Sequence, residues 1–562
     1  MSIALRIAEP RVSQILSEVY GISGKIDFLP GEIDLNYKVE GPDGEIYVLK
    51  ISRPGFDKNY FDFRDAILQH LKSSNGTSNS PELVLTLNGN TYSEFQDDSG
   101  RTRRVRMLRW IEGRLWSKVN PKSDSLRYSL GKCAGATTSQ LSNFNHPYAQ
   151  RKFPWDIAQA QWTEKHLDLF HSEQRGIIEY FHNLFEVQKE SYIQLRKSVI
   201  HNDANDNNII VSHDLRSPRV ESIIDFGDAI YTQTINDLAV CCAYAIMDFP
   251  DPLEAALPII SGYHQNFALQ EEELSHLYML IAMRLVISVT KSAINKNEEP
   301  DNEYLLISEK SAWDLLYRWK KVSLDFAHYC FRHACGFTPH PKEYKFQNWA
   351  KSQKFEIQDI IPRAGTNEVL QLDLSVGSTF TGHEKEIADL ELFDFKINRL
   401  QKEHPNKILA GGYCEPRVLY TSSAYEKHGN SGSEHRTVHV GIDFWYPAGT
   451  EITALEDGVV VTSTNDSGDK EYGGLVILKH QLEDFHFYSL YAHNTPESAT
   501  QHKIGDHVKK GQKIAELGNF PENGNWVPHL HFQIMLSMLD YKLDFPGVVY
   551  ANQLEIWKSF VP

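Results

Sequence analysis

The chain has 562 residues, too many for one hydrophobic core, so roughly three compact units are expected. Its formal net charge of −17 at pH 7 argues against non-specific binding to nucleic acid or to an anionic membrane surface. A bound nucleotide is not excluded, because a local basic pocket is enough to hold one.

The sequence predicts a cytoplasmic, reducing location. None of the six cysteines lies in a C-x-x-C pair, which is typical of reduced, buried thiols. The first ten residues contain no long apolar segment, so no signal peptide is evident. The most apolar stretch, 277–289, is short and carries Arg284, which indicates a buried helix and not a membrane span.

The first part of the chain, 1–112, is predicted to be a small lobe rich in strands. An amphipathic helix is expected over 11–21. Residues 35–52 predict a β-hairpin, because the Asp43-Gly44 turn separates two segments of alternating apolar residues. The other expected elements are a helix over 61–71 and strands over 83–92 and 105–111.

The following part, 113–335, has a mostly helical pattern. Short apolar strands around 199–200, 209–211 and 223–224 interrupt it and place the polar residues between them on loops. The strongest helical patterns are those over 237–247, 271–292 and 307–329.

The remainder of the chain divides into two segments of different character. Residues 336–370 have little periodicity and are interpreted as a linker or wrapping segment. Residues 371–562 show short strands separated by turns, which predicts an all-β domain with a core over 435–535. The fold class is therefore a multidomain α+β protein.

The loop between the first two short strands carries the pattern H-x-D-x-x-x-x-N over 201–208, and a D-F-G triplet starts at Asp225. Phosphoryl transfer requires cradled phosphates, bound divalent ions and an acceptor hydroxyl aligned with a base. Asp203 is the candidate base. Asn208 and Asp225 offer the hard oxygen ligands that Mg²⁺ prefers. His201 is expected to orient this loop.

Two further residues are candidates for nucleotide binding. Lys50 ends the second strand of the hairpin, where its cation can reach the α- and β-phosphates. The segment 29–36, which ends at Asn36, supplies a turn that can cover the nucleotide. Each signal is weak alone, but their combination in this order is specific.

Residues 1–335 resemble aminoglycoside phosphotransferase-type enzymes, and more narrowly their hydroxylysine-kinase branch. The resemblance implies a protein-kinase-like fold with an N-lobe over 1–112, a C-lobe over 113–335 and either ATP or GTP as the nucleotide. The segments that carry it are Val48–Ile51, Arg109–Gly113, Pro154–Asp156, His201–Asp206, Ile224–Ala229, Gly262–His264 and Arg284.

The resemblance implies the same roles for Asp203 as base, Asn208 and Asp225 as magnesium ligands and Lys50 as phosphate ligand. Protein kinases pair this strand lysine with a helix glutamate. Here the predicted helix offers Asp65 or Gln69 instead, so the partner of the lysine stays open.

The acceptor implied by the resemblance is a small amino acid or amino alcohol with a free hydroxyl, such as hydroxylysine. Asp206 and Asp228 lie near the candidate base and are candidates for binding an ammonium group, or for hydrogen-bonding within the loop. A hydroxyl of an aminoglycoside antibiotic is an alternative acceptor.

A second polar set comprises His439-x-x-x-Asp443 and His529-x-His531. On a strand, residues i and i+2 point to the same side, so both histidines of the second pair reach one site. Gly441, which the first pair flanks, allows close approach. Two histidines and one carboxylate leave an open position, which is the ligand count of a catalytic zinc site.

Residues 435–535 resemble the lysostaphin-type zinc endopeptidases of the M23 peptidase family. By that resemblance, His439, Asp443 and His531 bind Zn²⁺, while His493 and His529 assist the water or stabilise the oxyanion. The matching segments are His439–Asp443, Pro447–Thr450, Ala454, Asp457–Val459, Tyr472–Gly474, Tyr491–His493, Gly505, Val508–Gln512, Leu517–Gly518 and Pro528–Phe532.

These patterns predict a bifunctional cytoplasmic enzyme that phosphorylates a small-molecule hydroxyl and hydrolyses a peptide or amide. Neither nucleic acid nor membrane is an expected partner. Peptidases of the M23 type usually cut peptidoglycan outside the cytoplasm, and no export signal is evident. A non-catalytic metal-binding module is therefore the alternative for the second domain.

Overall fold

The computed structural model describes residues 7–562 apart from 30, 32, 33, 56, 75–78, 299–308, 366, 367 and 421. The chain forms two compact units, Met1–Val322 and Ser323–Pro562. The boundary therefore lies at 322/323 and not at the predicted position of 335.

A six-stranded antiparallel sheet and one long helix, Lys58–Ser73, form the start of the first unit. The predicted hairpin pairs in register, with Asn36 opposite Lys50. Its first strand alternates between buried and half-buried residues, as expected for a sheet with one face on the core. The strands are Lys25–Leu29, Leu35–Glu40, Ile46–Ile51, Leu83–Val84, Ser93–Gln96 and Thr102–Arg109.

Two predicted elements of this lobe differ from the expectation. The strand expected over 83–92 ends at Val84, because Thr86 and Gly89 close a turn through a hydrogen bond of 2.8 Å. The first helix spans Glu9–Ile15 and continues as one wider turn to Tyr20. Gly21 ends that turn in the left-handed region at φ 66°.

The helical part of the first unit surrounds two small sheets that hold the candidate catalytic loops. The sheet strands are Arg114–Leu115, Lys197–Ile200, Ile209–Val211, Val220–Ile223 and Ile230–Gln233. The α-helices are Asp124–Leu141, Ser172–Tyr192, Ile235–Ala245, Pro252–Asn266, Glu271–Glu298 and Glu309–Trp319. Short 3₁₀ segments are Trp116–Lys118, Pro147–Ala149, Ile157–Leu169 and Phe226–Asp228.

The helix Glu271–Glu298 contains the most apolar stretch of the sequence. It is long and apolar enough to cross a membrane, but 83% of its most apolar window is buried inside the protein. This burial agrees with the prediction of a core helix.

In the second unit, an eight-stranded sheet holds the second candidate site. Its strands, in spatial order, are Val369–Gln371, Ile408–Gly411, Ile442–Phe444, Leu530–Met535, His486–Asn494, Gly473–Gln481, Gly458–Asp466 and His507–Val508. A second sheet contains Glu415–Pro416, Glu426–Gly429, Gly432–His439 and Val548–Tyr550, and a third pairs Glu451–Thr453 with Lys513–Glu516. The α-helices are Leu324–Ala334, Glu343–Ser352, Glu384–Ala388, Leu390–Glu403, Pro496–Ala499 and Leu554–Phe560.

The helix expected over 307–329 is divided between the two units. The first of the two helices ends at Trp319, and the second spans Leu324–Ala334. Between them, Ser323 has an extended backbone and occupies the N-cap position of the second helix. Residues 307 and 308 lie outside the described part of the chain. The expected helical period continues across the break, which is why the sequence pattern did not reveal it.

The segment 336–370, expected as a linker or wrapping segment, belongs to the second unit. Its helix Glu343–Ser352 places Phe346 and Trp349 against Phe487, with ring centroids 5.5 Å and 5.0 Å apart. Aromatic packing therefore anchors this segment on the β domain.

Candidate active sites

The first polar loop lies between the strands Lys197–Ile200 and Ile209–Val211, as predicted. The amide Nδ2 of Asn208 donates to Asp203 Oδ2 at 2.7 Å and to the carbonyl of the same residue at 2.9 Å. Asn202 turns the chain at φ 65°, and its N–H donates to Asp237 Oδ1 at 2.9 Å. The candidate base and one candidate metal ligand are thus direct neighbours.

His201 connects this loop to the second one. Its Nδ1 accepts from the N–H of Asp203 at 3.1 Å, and its Nε2 lies 3.1 Å from the carbonyl of Ile224. Burial lowers the pKa of His201, so a neutral ring with its proton on Nε2 satisfies both contacts. The ring of His201 also packs edge-on against the ring of Phe226, with the ring centroids 4.6 Å apart. The histidine therefore orients the loop, as expected.

Arg284 is a site residue that the spacing argument missed. Its Nη2 donates to Asp203 Oδ1 at 3.1 Å, and its Nη1 donates to the carbonyl of Trp155 at 2.8 Å. Only 1% of its side chain is exposed. An arginine inside the most apolar stretch of the sequence was the available signal, because buried charges are paired.

Opposing influences set the protonation of Asp203. Burial, followed by the charge of Asp228, raises the pKa of Asp203 well above its ordinary value. The guanidinium of Arg284 acts in the opposite direction. The charge of Asp225 adds to the rise, so the two candidate motifs lie within electrostatic reach of each other.

Asp225 stands at φ 67° in the left-handed region, directly after a strand. Its Oδ2 lies 3.0 Å from Lys50 Nζ, and its Oδ1 lies 3.6 Å from Arg64 Nη2. Burial alone would raise its pKa, but Lys50 and Arg64 hold the pKa of this carboxyl well below its ordinary range. The N–H of Ile224 donates to the carbonyl of Asn208 at 2.8 Å, which joins the second candidate metal ligand to the first.

Among the described ion pairs, Lys50 pairs with Asp225 and with neither of the helix residues considered earlier, Asp65 and Gln69. Asp65 instead pairs with Arg106 at 3.2 Å, and both side chains are buried. Arg64, its neighbour in sequence, faces the lysine's partner Asp225. The helix thus presents a cation, Arg64, and neither Asp65 nor Gln69, to the ion pair of Lys50.

Asn36 lies beside Lys50 in the hairpin, and its Oδ1 is buried without a hydrogen-bond partner among the described residues. An unpaired buried acceptor is costly unless a ligand, water or neighbouring residue meets it. Of the predicted covering turn, Pro30, Glu32 and Ile33 lie outside the described residues.

In the second unit, strand pairing places Asp443 opposite His531. Asp443 Oδ1 lies 3.1 Å from Nδ1 of His531 and 3.4 Å from Nε2 of His439. Ligand atoms of all three residues lie within 4.8 Å of one another, and all three side chains are buried. The three predicted zinc ligands therefore converge on one point.

In His439 and His531, one ring nitrogen faces the cluster and is called the inner nitrogen: Nε2 of His439 and Nδ1 of His531. The hydrogen bonds of the other, outer nitrogens bear on whether the inner ones can bind a metal ion. His439 Nδ1 lies 2.9 Å from the carbonyl of Gly412, and His531 Nε2 lies 3.2 Å from Gln533 Oε1. Both outer nitrogens face oxygen acceptors, so the tautomers that carry their protons there leave lone pairs on the inner nitrogens. These inner nitrogens are only 2.9 Å apart.

Two facing lone pairs at that distance repel unless a cation or a proton lies between them. Burial, with the positive charge of Arg417, lowers the pKa of His439 to about 4, so this ring is neutral at pH 7. Carbonyl and amide partners on the outer nitrogens are typical of metal-binding histidines. The donor set therefore fits a divalent metal ion.

The two predicted assisting histidines border this cluster. Their ring centroids are 4.4 Å apart, and His529 Nε2 lies 3.7 Å from Asp443 Oδ1. The Nδ1 atoms of His493 and His529 face the carbonyls of Asn523 and Val527 at 3.0 Å and 2.7 Å. Burial lowers the pKa of both rings, so they present neutral, basic nitrogens to the site.

Gly441 permits this convergence. A Cβ at this position would lie 2.4 Å from the ring of His531, too close for any side chain. The close approach predicted from the sequence is thus a steric requirement. Arg417, which donates to Asp443 Oδ2 at 2.8 Å, was missed because it precedes the segment that carries the resemblance.

Comparison with known proteins matches a different family to each of the two units. Residues 26–272 match the model of the phosphotransferase enzyme family. Residues 437–541 match the model of peptidase family M23. The chain joins a phosphotransferase domain to an M23 peptidase domain. The predicted fold class, a multidomain α+β chain with a kinase-like part followed by an all-β M23 domain, is confirmed by the kinase-like relatives and by the sheets of the M23 region.

Curated relatives match each domain separately. Hydroxylysine kinase of Mus musculus is 27% identical over 330 residues, which cover 54% of this chain and 87% of the relative. Lysostaphin of Staphylococcus staphylolyticus is 32% identical over 100 residues, which cover 18% of this chain and 19% of the relative. A solved amicoumacin kinase is 17% identical with a TM-score of 0.43, covering 57% of this chain and 94% of that one.

Proposed function

We propose that the phosphotransferase domain transfers a phosphoryl group from ATP or GTP, with Mg²⁺, to a hydroxyl of a small amino acid or amino alcohol of the hydroxylysine type. The observation that carries this proposal is the position of Asp203. One of its carboxylate oxygens contacts Asn208 and the other contacts Arg284. This fixed carboxylate is suited to accept the proton of an acceptor hydroxyl.

The charges around the base support an acceptor that carries an ammonium group. Asp228 lies close enough to raise the pKa of Asp203, and burial raises the pKa of Asp206 in the same loop. A cation bound among these carboxylates would offset their mutual repulsion. The hydroxylysine kinases among the relatives carry such an acceptor in their name.

The test is phosphorylation by the full chain. The protein is incubated with MgATP or MgGTP and a panel of hydroxy amino acids, amino alcohols and aminoglycosides, and products are examined for the mass of one added phosphate. Asp203→Asn keeps the size of the side chain and is expected to stop turnover while nucleotide still binds. Turnover by this variant would refute the base assignment, and a product only from aminoglycosides would refute the proposed acceptor class.

We further propose that the M23 domain is a peptidase or amide hydrolase acting in the cytoplasm, with Zn²⁺ held by His439, Asp443 and His531. Support comes from the inner nitrogens of the two histidines, which face each other at 2.9 Å, with the carboxylate of Asp443 3.1 Å from one of them. Zinc, when bound, supplies a Lewis acid that polarises a carbonyl and activates water. The neutral rings of His493 and His529 lie where they can take up and return a proton.

Metal content and cleavage are measured on the same purified chain. Zinc at one equivalent, together with cutting of members of a broad peptide and amide panel, supports the hydrolase. Bound zinc without any cleavage supports the alternative of a metal-binding module. A chain that takes up no zinc refutes both.

A further inference from the structure

A row of three buried charged side chains stands next to the proposed metal site. Arg417 donates through Nε to Glu415 Oε2 at 2.6 Å and through Nη1 to Asp443 Oδ2 at 2.8 Å. The side chains are 5%, 9% and 1% exposed for Arg417, Glu415 and Asp443. We call these three residues the ion triad.

The fold brings the first two members of the ion triad to the site by strand pairing. Gly411 lies opposite Asp443 and Glu415 lies opposite His439 in the sheets. The N–H of Arg417 donates to the carbonyl of Thr437 at 2.8 Å. The segment 411–417 is therefore held by backbone hydrogen bonds beside two of the three proposed metal ligands.

This segment lies outside the residues that match the M23 family model, which begin at 437. It also supplies the carbonyl of Gly412 that receives the outer nitrogen of His439. Residues that hydrogen-bond to metal ligands hold those ligands in position, so their loss lowers metal affinity. The metal site of this chain thus depends on residues that precede the family domain.

Arg417 determines which oxygen of Asp443 can face a metal ion. It occupies Oδ2, while Oδ1 lies 3.4 Å, 3.7 Å and 3.1 Å from the nearest nitrogens of His439, His529 and His531. A carboxylate tied down in this way offers one oxygen and not two. A four-coordinate zinc with three protein ligands keeps one position for water or substrate.

The negative charge of Glu415 allows Arg417 to lie beside the proposed metal ion. Arg417 alone would place a positive charge beside the proposed metal and oppose its binding. Glu415 balances that charge, and its Oε1 also accepts from the N–H of Leu374 at 3.0 Å. The planar guanidinium can contact both carboxylates at once, which the single ammonium of lysine cannot do in the same geometry.

We propose that Arg417, fixed by Glu415, is a positioning residue that restricts Asp443 to a single-oxygen metal ligand and so keeps the fourth position open. The proposal rests on the metal site assigned under the proposed function. It goes further in assigning a role to residues of this chain that lie outside the family match.

The test uses the full chain loaded with Zn²⁺ or Co²⁺ and compares wild type with Arg417→Gln. Zinc affinity is measured by competition with a chromophoric chelator, and the visible absorption of Co²⁺ reports its coordination, since four-coordinate Co²⁺ absorbs more strongly than six-coordinate Co²⁺. We expect a loss of about 10–100-fold in zinc affinity, as for other residues that orient ligands. We also expect weaker Co²⁺ absorption, because the freed Oδ2 raises the coordination number.

Further variants keep the test decisive if Arg417→Gln does not fold, since truncating one member of a buried ion triad destabilises a protein. Arg417→Lys keeps the charge but loses the double contact, and Glu415→Gln keeps the shape but loses a charge; both are expected to weaken the Co²⁺ absorption. Arg436→Gln, on the neighbouring strand, is the matched control and leaves both measurements unchanged.

The outcomes separate the two proposals. Wild-type absorption and wild-type zinc affinity in folded Arg417 and Glu415 variants overturn the positioning role and leave the metal site intact. Failure of the wild-type chain itself to take up either ion overturns the metal site, and with it the positioning role.

Discussion

Lys50 Nζ lies 3.0 Å from Asp225 Oδ2, so the strand lysine pairs with the candidate metal ligand itself. Arg64, from the neighbouring helix, lies 3.6 Å from the other oxygen of this carboxylate. Two cations thus surround a carboxylate that is proposed to bind Mg²⁺. When Mg²⁺ and nucleotide occupy the site, we expect the phosphates to replace Asp225 as the partner of Lys50.

Lys50→Met is therefore expected to weaken binding of the Mg²⁺–nucleotide complex. A hydrogen bond to a charged group contributes about 1.5–3 kcal/mol, which corresponds to a loss of roughly 10–150-fold in affinity. Isothermal titration calorimetry of the full chain measures it. Lys58→Met removes an exposed lysine that pairs with Asp62 and is the matched control. Equal affinity in wild type and Lys50→Met would exclude the phosphate contact.

Arg284→Gln is expected to change the pH dependence of phosphoryl transfer. Burial and Asp228 raise the pKa of Asp203, and Arg284 opposes the rise, so its removal raises this pKa further. The base accepts a proton only when ionised, and activity is therefore lost as the pH falls through its pKa. The acid limb of the kcat/KM profile should move to higher pH, with lower activity than wild type on that limb.

The control for this change is Arg175→Gln, which removes an exposed arginine of the helix Ser172–Tyr192. Its profile should coincide with that of wild type. An acid limb that stays in place in Arg284→Gln would show that the arginine does not tune Asp203.

The site residues that could be predicted from the sequence lie on short segments with fixed spacing. In the loop 201–208 and on the strand Leu530–Met535, local geometry alone brings the side chains together, as it does for His529 and His531. The hairpin register that sets Asn36 beside Lys50 was likewise readable from its turn.

The site contacts that were not predicted from the sequence join residues over long separations. Arg284 reaches Asp203 from a helix 81 residues away in sequence, and Arg417 reaches Asp443 across 26 residues. Long arginine side chains pair wherever packing brings a carboxylate within reach, so no local spacing reveals the contact. The break at Ser323 was not predicted for a similar reason. The spacing of apolar residues keeps a helical period on both sides of the boundary between the two units.

Gly441→Ala tests the packing of the proposed metal site. The added methyl group would lie 2.4 Å from the ring of His531 and displace it. We expect a loss of zinc affinity of about 10-fold or more, in the range found when ligand orientation is disturbed. Gly377→Ala, where an added Cβ meets nothing within 4 Å, serves as control. Unchanged affinity in Gly441→Ala would mean that the strand pair relaxes without cost.

His493→Ala separates binding from catalysis in the M23 domain. His493 is not among the three clustered ligands, so bound zinc should stay at the wild-type level, as measured by metal analysis. Cleavage of whichever peptide the wild type cuts should fall by about 10²–10⁴-fold, as for loss of a general acid–base. His507→Ala, at an exposed position, should change neither quantity. Loss of zinc from His493→Ala would instead identify this ring as a ligand.

The boundary at 322/323 determines where the gene can be divided for separate production of the two units. Phe326 and Tyr329 pack on Trp557 and Phe560 at the far end of the β domain, with ring centroids 5.5 Å and 5.3 Å apart for Phe326–Trp557 and Tyr329–Phe560. A fragment starting at 336 or 371 would leave these aromatic surfaces open to water and prone to aggregate. A fragment starting at Ser323 retains its own aromatic cover, and should be the soluble form suited to biochemical work.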